Sequence, residues 1–226
     1  TYTLPLNKIP YLEWVNIITR YGTQFNWQSE PLLAIQNDAI SIGNSIQNNR
    51  TIQINPNLNF SSLYTKFRFF RENTRRDAKG PKAVLAQLLS SLRTINGAYT
   101  KNEGQFLPGY TPGTNILGYD FNSNAPGWGF ILGSQSNILN RAIANSWVST
   151  DSLQTRMYTK TYAENLSVVA NLEPFRGLRI DFIFNKIDNY NFSAATQFTS
   201  QGLLESISPY RTGNYSITQI AISSAF

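Results

Sequence analysis

Histidine and cysteine are both absent from the 226 residues, so any chemistry would have to run on thirteen carboxylates and on lysine, tyrosine and serine. That removes cysteine nucleophiles, Ser-His-Asp triads, disulfide frameworks and almost every zinc site. The carboxylates do not gather into a recognisable pair. Arg179 and Asp181 share the polar side of one alternating segment, with Glu164 and Asp188 not far in sequence. A glycosidase needs two carboxylates about 5–9.5 Å apart across a cleft, and nothing singles out such a pair. Gly127-Trp128-Gly129 followed by Gly133 is one residue too long for the dinucleotide fingerprint, and no βαβ unit surrounds it. The expectation is a chain with no catalytic residue, no metal site and no cofactor.

Charge offers a second kind of chemistry. The net charge is +6, and Lys66, Arg68, Arg71, Arg75, Arg76, Lys79 and Lys82 lie within seventeen residues, opposed only by Glu72 and Asp77. Phe67, Phe69 and Phe70 interleave with the first cations, a pattern that superficially suits nucleic acid. A solvated connection with a basic face accounts for the same residues, and nucleic acid is not expected as a partner.

The elements that must position these residues read as strands. Period-2 alternation dominates, the mark of strands with two unlike faces. In 15–28, Val15, Ile17, Thr19, Tyr21, Thr23, Phe25 and Trp27 oppose a more polar set. In 51–60, Ile52, Ile54, Pro56, Leu58 and Phe60 oppose Thr51, Gln53, Asn55, Asn57 and Asn59. Leu166, Val168, Ala170 and Leu172 oppose Asn165, Ser167, Val169 and Asn171; Leu178, Ile180, Phe182 and Phe184 oppose Arg179, Asp181, Ile183 and Asn185. Glu173 to Gly177 reads as the hairpin turn between these last two. Strands are therefore predicted near 14–28, 51–64, 84–101, 157–172, 178–189 and 213–224. Pro56 fits an edge or a bulge better than a central ladder position.

Composition decides what the two faces meet. Charged residues are only 14% of the chain, against about 25% in ordinary soluble proteins, while aromatics reach 13% and asparagine occupies 25 positions. The polar faces carry Asn, Gln, Ser and Thr where a water-facing sandwich carries Lys and Glu. Mean hydropathy is −0.28 and no long apolar run exists, which excludes a helical membrane protein. Segments of about ten residues, apolar on one side and polar on the other, with aromatics near their ends, are the signature of a transmembrane β-barrel. The predicted lipid-facing residues are Ile52, Ile54, Leu58, Phe60, Leu166, Val168, Leu178, Ile180, Phe182 and Phe184. The predicted pore-lining residues are Gln53, Asn55, Asn57, Asn59, Asn165, Asn171, Arg179, Asp181 and Asn185. Trp14, Tyr21, Trp27 and Phe60 sit where an aromatic girdle belongs.

Connections alternate in length. Gaps 29–50, 102–156 and 190–212 are long, 173–177 is short, and 65–83 is intermediate; strand parity puts the last two on one side, which makes 65–83 a basic periplasmic connection. Residues 104–133 hold seven of the fourteen glycines and three prolines, interspersed with aromatic and aliphatic residues. That predicts an ordered extracellular loop over 102–156 that packs inside the lumen or over its mouth, with a short helix at 138–148. Six strands are too few for a closed bacterial barrel, and open edges cannot stand in lipid, so the chain reads as an arc of a much larger antiparallel barrel.

Several segments resemble one family. SIGNSIQNNRTIQINPNLNFSSLYTKF (41–67), GQFLPGYTPGTNILGYD (104–120), APGWGFILGSQ (125–135), NLSVVANLEPFRGLRIDFIFNKIDNYNFS (165–193) and RTGNYSITQIAISSAF (211–226) are similar, in order and spacing, to the outer-membrane translocon of the Bacteroidetes type IX secretion system, the gliding-motility SprA and Sov family. The resemblance implies a segment near the C-terminal part of a very long barrel chain, with the Leu107-Pro108-Gly109-Tyr110 and Pro112-Gly113 motif in its loop. It implies location in the outer membrane of a Gram-negative bacterium and export of folded proteins bearing a C-terminal signal. The implied partners are the remainder of the translocon chain, a partner outer-membrane barrel at a lateral opening, a periplasmic plug protein, the secreted substrates and the lipid bilayer. Two other readings stay open: a small stand-alone porin-like protein, which a terminal Phe226 after an alternating strand would suit, and a soluble aromatic-rich carbohydrate-binding β-domain.

Overall fold

The structure, a computed structural model, describes residues 2–4, 8–9, 12–31, 41–73, 80–175, 177–198 and 204–225. Its strands are β1 (Tyr2–Leu4), β2 (Val15–Gln28), β3 (Asn44–Asn59), β4 (Leu92–Tyr110), β5 (Tyr158–Phe175), β6 (Leu178–Phe198) and β7 (Leu204–Ala225). They form one sheet in the order β1-β2-β3-β4-β5-β6-β7, every neighbouring pair antiparallel. Each strand thus lies beside its sequence neighbours, and β1 and β7 stand at the two edges of an open sheet. The all-β prediction holds; closure into a barrel is not seen within the described residues. No helix among them is long and apolar enough to cross a membrane, which says nothing of strands.

Several strand limits differ from the predicted ones, each for a local reason. The segment predicted as strand over 51–64 is strand over Asn44–Asn59, then turns into helix α1 (Phe60–Tyr64). Asn59 is the switch: its side-chain oxygen accepts from the Ser62 N–H at 3.3 Å and caps the helix. Phe60, predicted to face lipid from a strand, therefore sits on the first turn of a helix, its ring 5.1 Å from that of Trp14. The strand predicted over 84–101 begins only at Leu92, because 81–89 is helix α3 (Pro81–Leu89) with proline at its first position. Helix α2 (Arg68–Asn73) precedes it, so the basic connection carries helix at 68–73 and from 81 onward, with a turn at 65–67. Arg75, Arg76 and Lys79 of that connection lie outside the described residues.

The largest correction concerns length. Residues 102–110, predicted as loop, continue β4, so Leu107, Pro108, Gly109 and Tyr110 of the loop motif are strand residues and only Pro112 and Gly113 follow it. The ladder tolerates Pro108 because the register jumps there: Ser45 pairs with Pro108 and Asn44 with Tyr110, leaving Gly109 bulged at φ +71°. Most of the predicted gap 190–212 is likewise strand, β6 running to Phe198 and β7 starting at Leu204. Pro56 is not at an edge. It sits in the third of seven strands, and its ring lies where a side chain at Gly97 on β4 would be: a Cβ there would stand 2.8 Å from the Pro56 Cγ. Glycine makes the central proline possible.

Between β4 and β5 the chain leaves the sheet and folds back on it as a cap, which carries a 3₁₀ turn (Ile116–Gly118), helix α4 (Trp128–Ile131) and helix α5 (Ile138–Ala144). Its neck is pinched by backbone bonds from Thr111 N to Trp147 O (2.9 Å) and from Ser149 N to Gly109 O (2.6 Å). Phe130, Ile138, Leu139, Ala142, Trp147 and Val148 of the cap bury themselves against Ile46, Leu107, Tyr110, Tyr158 and Ala194 of the sheet. Each large apolar side chain fully buried this way stabilises by roughly 1.5–3 kcal/mol. This is the protein's core. Away from the cap, and from the short helices α1 and α3 that touch β4 and β5, no described element stacks on the sheet.

Candidate functional site

Register fixes which residues share a face. Ile52 pairs with Tyr21 and Lys101, Tyr99 with Leu166, Val168 with Phe184, and Phe184 with Gln219. Directly paired residues point the same way. The predicted strand residues Ile52, Ile54, Leu58, Leu166, Val168, Leu178, Ile180, Phe182 and Phe184 therefore lie on one face. Gln53, Asn55, Asn57, Asn59, Asn165, Asn171, Arg179, Asp181 and Asn185 lie on the other. The sorting predicted strand by strand becomes one continuous sorting across the sheet.

The first face is banded along its strands. Its lower part carries an apolar belt built from Val15, Ile17, Ile52, Ile54, Leu58, Ile95, Leu166, Val168, Phe182 and Phe184. No residue of the belt except Val15 is buried, and Phe182 is 47% exposed. The belt ends abruptly. Ile52 is followed along its face by Arg50, Tyr99 by Lys101, Leu166 by Glu164 and Phe184 by Lys186.

Above that border lies a band of tyrosines and paired charges. Tyr21, Tyr99, Tyr162, Tyr190 and Tyr215 come from five different strands to neighbouring rows of the register. The rings of Tyr162 and Tyr190 stack with centroids 4.8 Å apart and 12° between planes. Among the charges, Arg50 Nε donates to Glu103 at 3.1 Å, Lys101 lies 3.3 Å from the same carboxylate, and Lys186 Nζ donates to Glu164 at 2.8 Å. Tyr162 also donates to Glu164. Cations sit over the rings as well: Lys101 over Tyr162 at 5.2 Å, Arg211 over Tyr190 at 4.2 Å and Lys186 over Tyr215 at 5.8 Å.

Of this tyrosine band the sequence reading singled out only Tyr21. The residues are scattered over five segments, and only the register aligns them. A second aromatic group, Trp14, Phe60, Tyr64 and Phe70, stands at the opposite end of the belt, with centroids 5.1, 6.4 and 5.0 Å apart in that order.

Farther up the same face comes the cap. Buried amides fasten it. Asn48 Nδ2 donates to the carbonyls of Phe130 (2.9 Å) and Ser134 (3.0 Å), and its oxygen accepts from Gln135 Nε2 at 3.1 Å. Gln105 donates to Ser136 O (3.0 Å) and Gln135 Oε1 (3.2 Å) and accepts from the Tyr158 hydroxyl at 2.8 Å. Lys160 Nζ reaches Gln135 O at 3.1 Å. The close approach to β2 also needs a glycine: Gly118, at φ +84°, leaves no room for a Cβ, which would stand 2.1 Å from Phe25 Cε1. The cap's core thus packs on the face of the apolar belt. The loop expected to be ordered and packed is so, and within this sheet it packs on the belt face.

Two carboxylates organise the cap and its base. Asp120 is held below the usual carboxylate range, first by the Ser123 hydroxyl and then by the Asn122 N–H. Asp151 is held down by the N–H groups of Leu153 and Ser41, the latter at 2.7 Å.

The second face is open and mostly uncharged. Cross-strand amide and hydroxyl pairs run along it: Thr51 to Asn102 (2.8 Å), Thr94 to Asn171 (2.5 Å), Asn57 to Asn96 and Asn189 to Asn214 (3.4 Å). Asn171 donates to Asp181 at 2.7 Å and Arg179 to the same carboxylate at 3.0 Å, which keeps the pair of charges internally satisfied. A shallow depression of about 360 Å³ opens among Asn49, Thr51, Asn102, Thr161, Asn189 and Asn191. Arranged this way, the face offers exchangeable neutral hydrogen bonds. Apolar residues interrupt it at Ile18, Val169, Ile183, Ile187, Ile220 and Ile222. No family profile matches the chain, and no curated protein matches it in sequence.

Proposed function

We propose that this chain forms part of the wall of a protein-conducting pore in the outer membrane of a Gram-negative bacterium, and that it catalyses no reaction. The observation that carries this reading is the banding of one face: an unburied apolar belt bounded at both ends by aromatics, with charges beginning directly beyond one of them. Lipid-facing surfaces of barrels have this order, an apolar band of about 25 Å between aromatic girdles. Along β2, the six steps from Val15 to Tyr21 at about 3.3 Å each span roughly 20 Å of strand, with Trp14 in the turn just before it. The amide-rich opposite face then lines the lumen, where a polypeptide can slide past weak bonds instead of fixed ion pairs. The open sheet supports a wall completed by further strands, since a lipid-exposed edge leaves backbone groups unpaired.

On this reading the folded substrates with a C-terminal signal, the lateral partner barrel and the periplasmic plug implied by the family resemblance are its partners. The basic connection at 65–83 lies on the periplasmic side and the cap outside the cell. The experiment uses adjacent residues on opposite faces. Cysteine at Asn165 should form a cross-link to a secreted substrate arrested in transit, and cysteine at Leu166 should not. Equal cross-linking from both positions, or normal secretion after removal of 1–226 from its parent chain, would end the translocon reading.

A further inference from the structure

The exposed tip of the cap carries an unusual surface. Ile116, Leu117, Phe121, Trp128 and Leu132 are 66%, 73%, 55%, 44% and 63% exposed. They are held outward by an ordered frame. Tyr119 stacks flat on Trp128 with centroids 4.7 Å apart and meets Phe121 edge-on at 5.1 Å. Leu117 sits at φ +55°, a left-handed conformation uncommon for leucine. Residues 104–140 contain a single charged residue, Asp120, and its carboxylate is turned inward to Ser123 and Asn122. A water-bathed surface of that length would carry about one charge in four residues. An exposed apolar patch rimmed by polar residues marks an interaction surface.

We infer that this tip is an interfacial foot that seats in the bilayer surface beside the wall; the inference rests on the membrane reading above. Continuity with the belt points to lipid. Leu132 is the part of the cap that reaches lowest on β2: its carbonyl accepts from the Tyr21 hydroxyl at 2.8 Å, and Tyr21 stands at the upper border of the apolar belt. The 3₁₀ turn and α4 both lie against β2, so the foot overhangs the belt on the face that meets lipid. Its chemistry is that of the membrane interface, aliphatic side chains flanked by tyrosine and tryptophan, whose rings are apolar at one end and wettable at the other. The nearest cations are engaged: Arg141 lies over the Trp147 ring at 5.3 Å with its guanidinium against Gly127 at the rim of the tip, and Lys160 is bonded to Gln135 O.

The test uses depth-dependent quenching of one tryptophan. In the protein as it exists, every tryptophan except Trp128 is replaced by Phe, Trp14, Trp27 and Trp147 of this segment among them. A reference protein carries Phe182→Trp with every native tryptophan replaced. Both are reconstituted in phosphatidylcholine vesicles whose lipids carry bromine either high on the acyl chain or deep within it. Trp128 should lose emission chiefly to the shallow bromines and Phe182→Trp chiefly to the deep ones. Quenching at 182 without quenching at 128 would overturn the foot while leaving the wall in the membrane, whether acrylamide then reaches Trp128 (a tip in water) or does not (a tip against protein). Absence of quenching at both would remove the membrane reading itself. If the Trp replacements unfold the cap, a spin label at Leu132→Cys decides, residues 1–226 having no cysteine and any cysteine outside them being replaced by Ser. Greater accessibility to oxygen than to a water-soluble nickel complex supports the foot, and the reverse overturns it.

Discussion

Asn48 and Asn49 are chemically identical neighbours, and the sheet register assigns them opposite fates. Asn48 is fully buried under the cap, donating to two carbonyls and accepting from Gln135 Nε2. Replacing it with alanine leaves two carbonyl oxygens and one amide without their partner beneath the cap. At roughly 1 kcal/mol for each lost bond, and more where the abandoned partner stays dry, Asn48→Ala should cost about 2–4 kcal/mol. That cost falls on cap docking, since the strand ladder does not use the side chain. It corresponds to about a 30- to 700-fold rise in the cap-opening equilibrium. Asn49 accepts only a marginal bond from Gln47 at 3.5 Å on the open face. Its replacement should shift stability by less than about 0.5 kcal/mol. Native-state hydrogen exchange at the amides of 127–133 and 138–147 reads cap opening directly. Equal acceleration by the two variants, or less than about a fivefold effect of Asn48→Ala (~1 kcal/mol), would refute the assignment of the cap to the belt face.

If the belt meets lipid as proposed, Phe182→Arg should impair assembly by about 2–4 kcal/mol, while Asn185→Arg costs far less; heat-modifiable mobility of the assembled protein measures both. Gly118→Ala combines a left-handed backbone with a Cβ driven into the Phe25 ring, and should loosen the cap by about 2–4 kcal/mol in the same exchange experiment. Because the folded-state pKa values of Asp120 and Asp151 are depressed, their contribution to cap stability is full above the unfolded value of about 3.9 and is lost as pH falls through the folded ones. Tryptophan emission should therefore stay flat from neutral pH to about pH 5 and report cap release only in stronger acid, with Asp120→Asn already partly released at neutral pH. Arg68→Cys removes only an exposed pair with Glu72, worth at most about 1 kcal/mol, and should react with an impermeant thiol reagent only after the outer membrane is permeabilised.

What the sequence disclosed depended on contrast within a strand. Leu178 to Asn185 alternates large apolar residues against Asn, Asp and Arg, and the faces follow directly from the period of two. Beyond Tyr190 the same strand reads Phe-Ser-Ala-Ala-Thr, whose weak contrast hides its continuation to Phe198. At 84–89 a short leucine-rich run fits helix and strand periods alike, and Pro81 at the helix start decides in favour of helix. At 102–110 the glycine and proline density argued for loop, yet each special residue has a seat in the ladder: Gly104 beneath Asn49 and Thr161, and Pro108 at the register jump. The tyrosine band and the Asn48–Gln105 fastening were illegible for a different reason. They exist only across strands, and one residue of register slip would send each side chain to the opposite face.

The pinched neck of the cap bears on how such a chain can change over generations. Thr111 and Trp147 hold each other by a backbone bond, and Gly109 and Ser149 repeat the contact one step closer to the sheet. Residues may therefore be gained, lost or exchanged between Pro112 and Ser146 without altering where β4 and β5 meet, because the ladder senses only the closed stem. The sheet on either side has no such freedom: a single inserted residue in β3 would exchange its apolar and amide faces. Homologous chains should accordingly keep their strands nearly invariant in length, with the insertions and deletions concentrated in this one excursion, as ornament varies on a fixed frame.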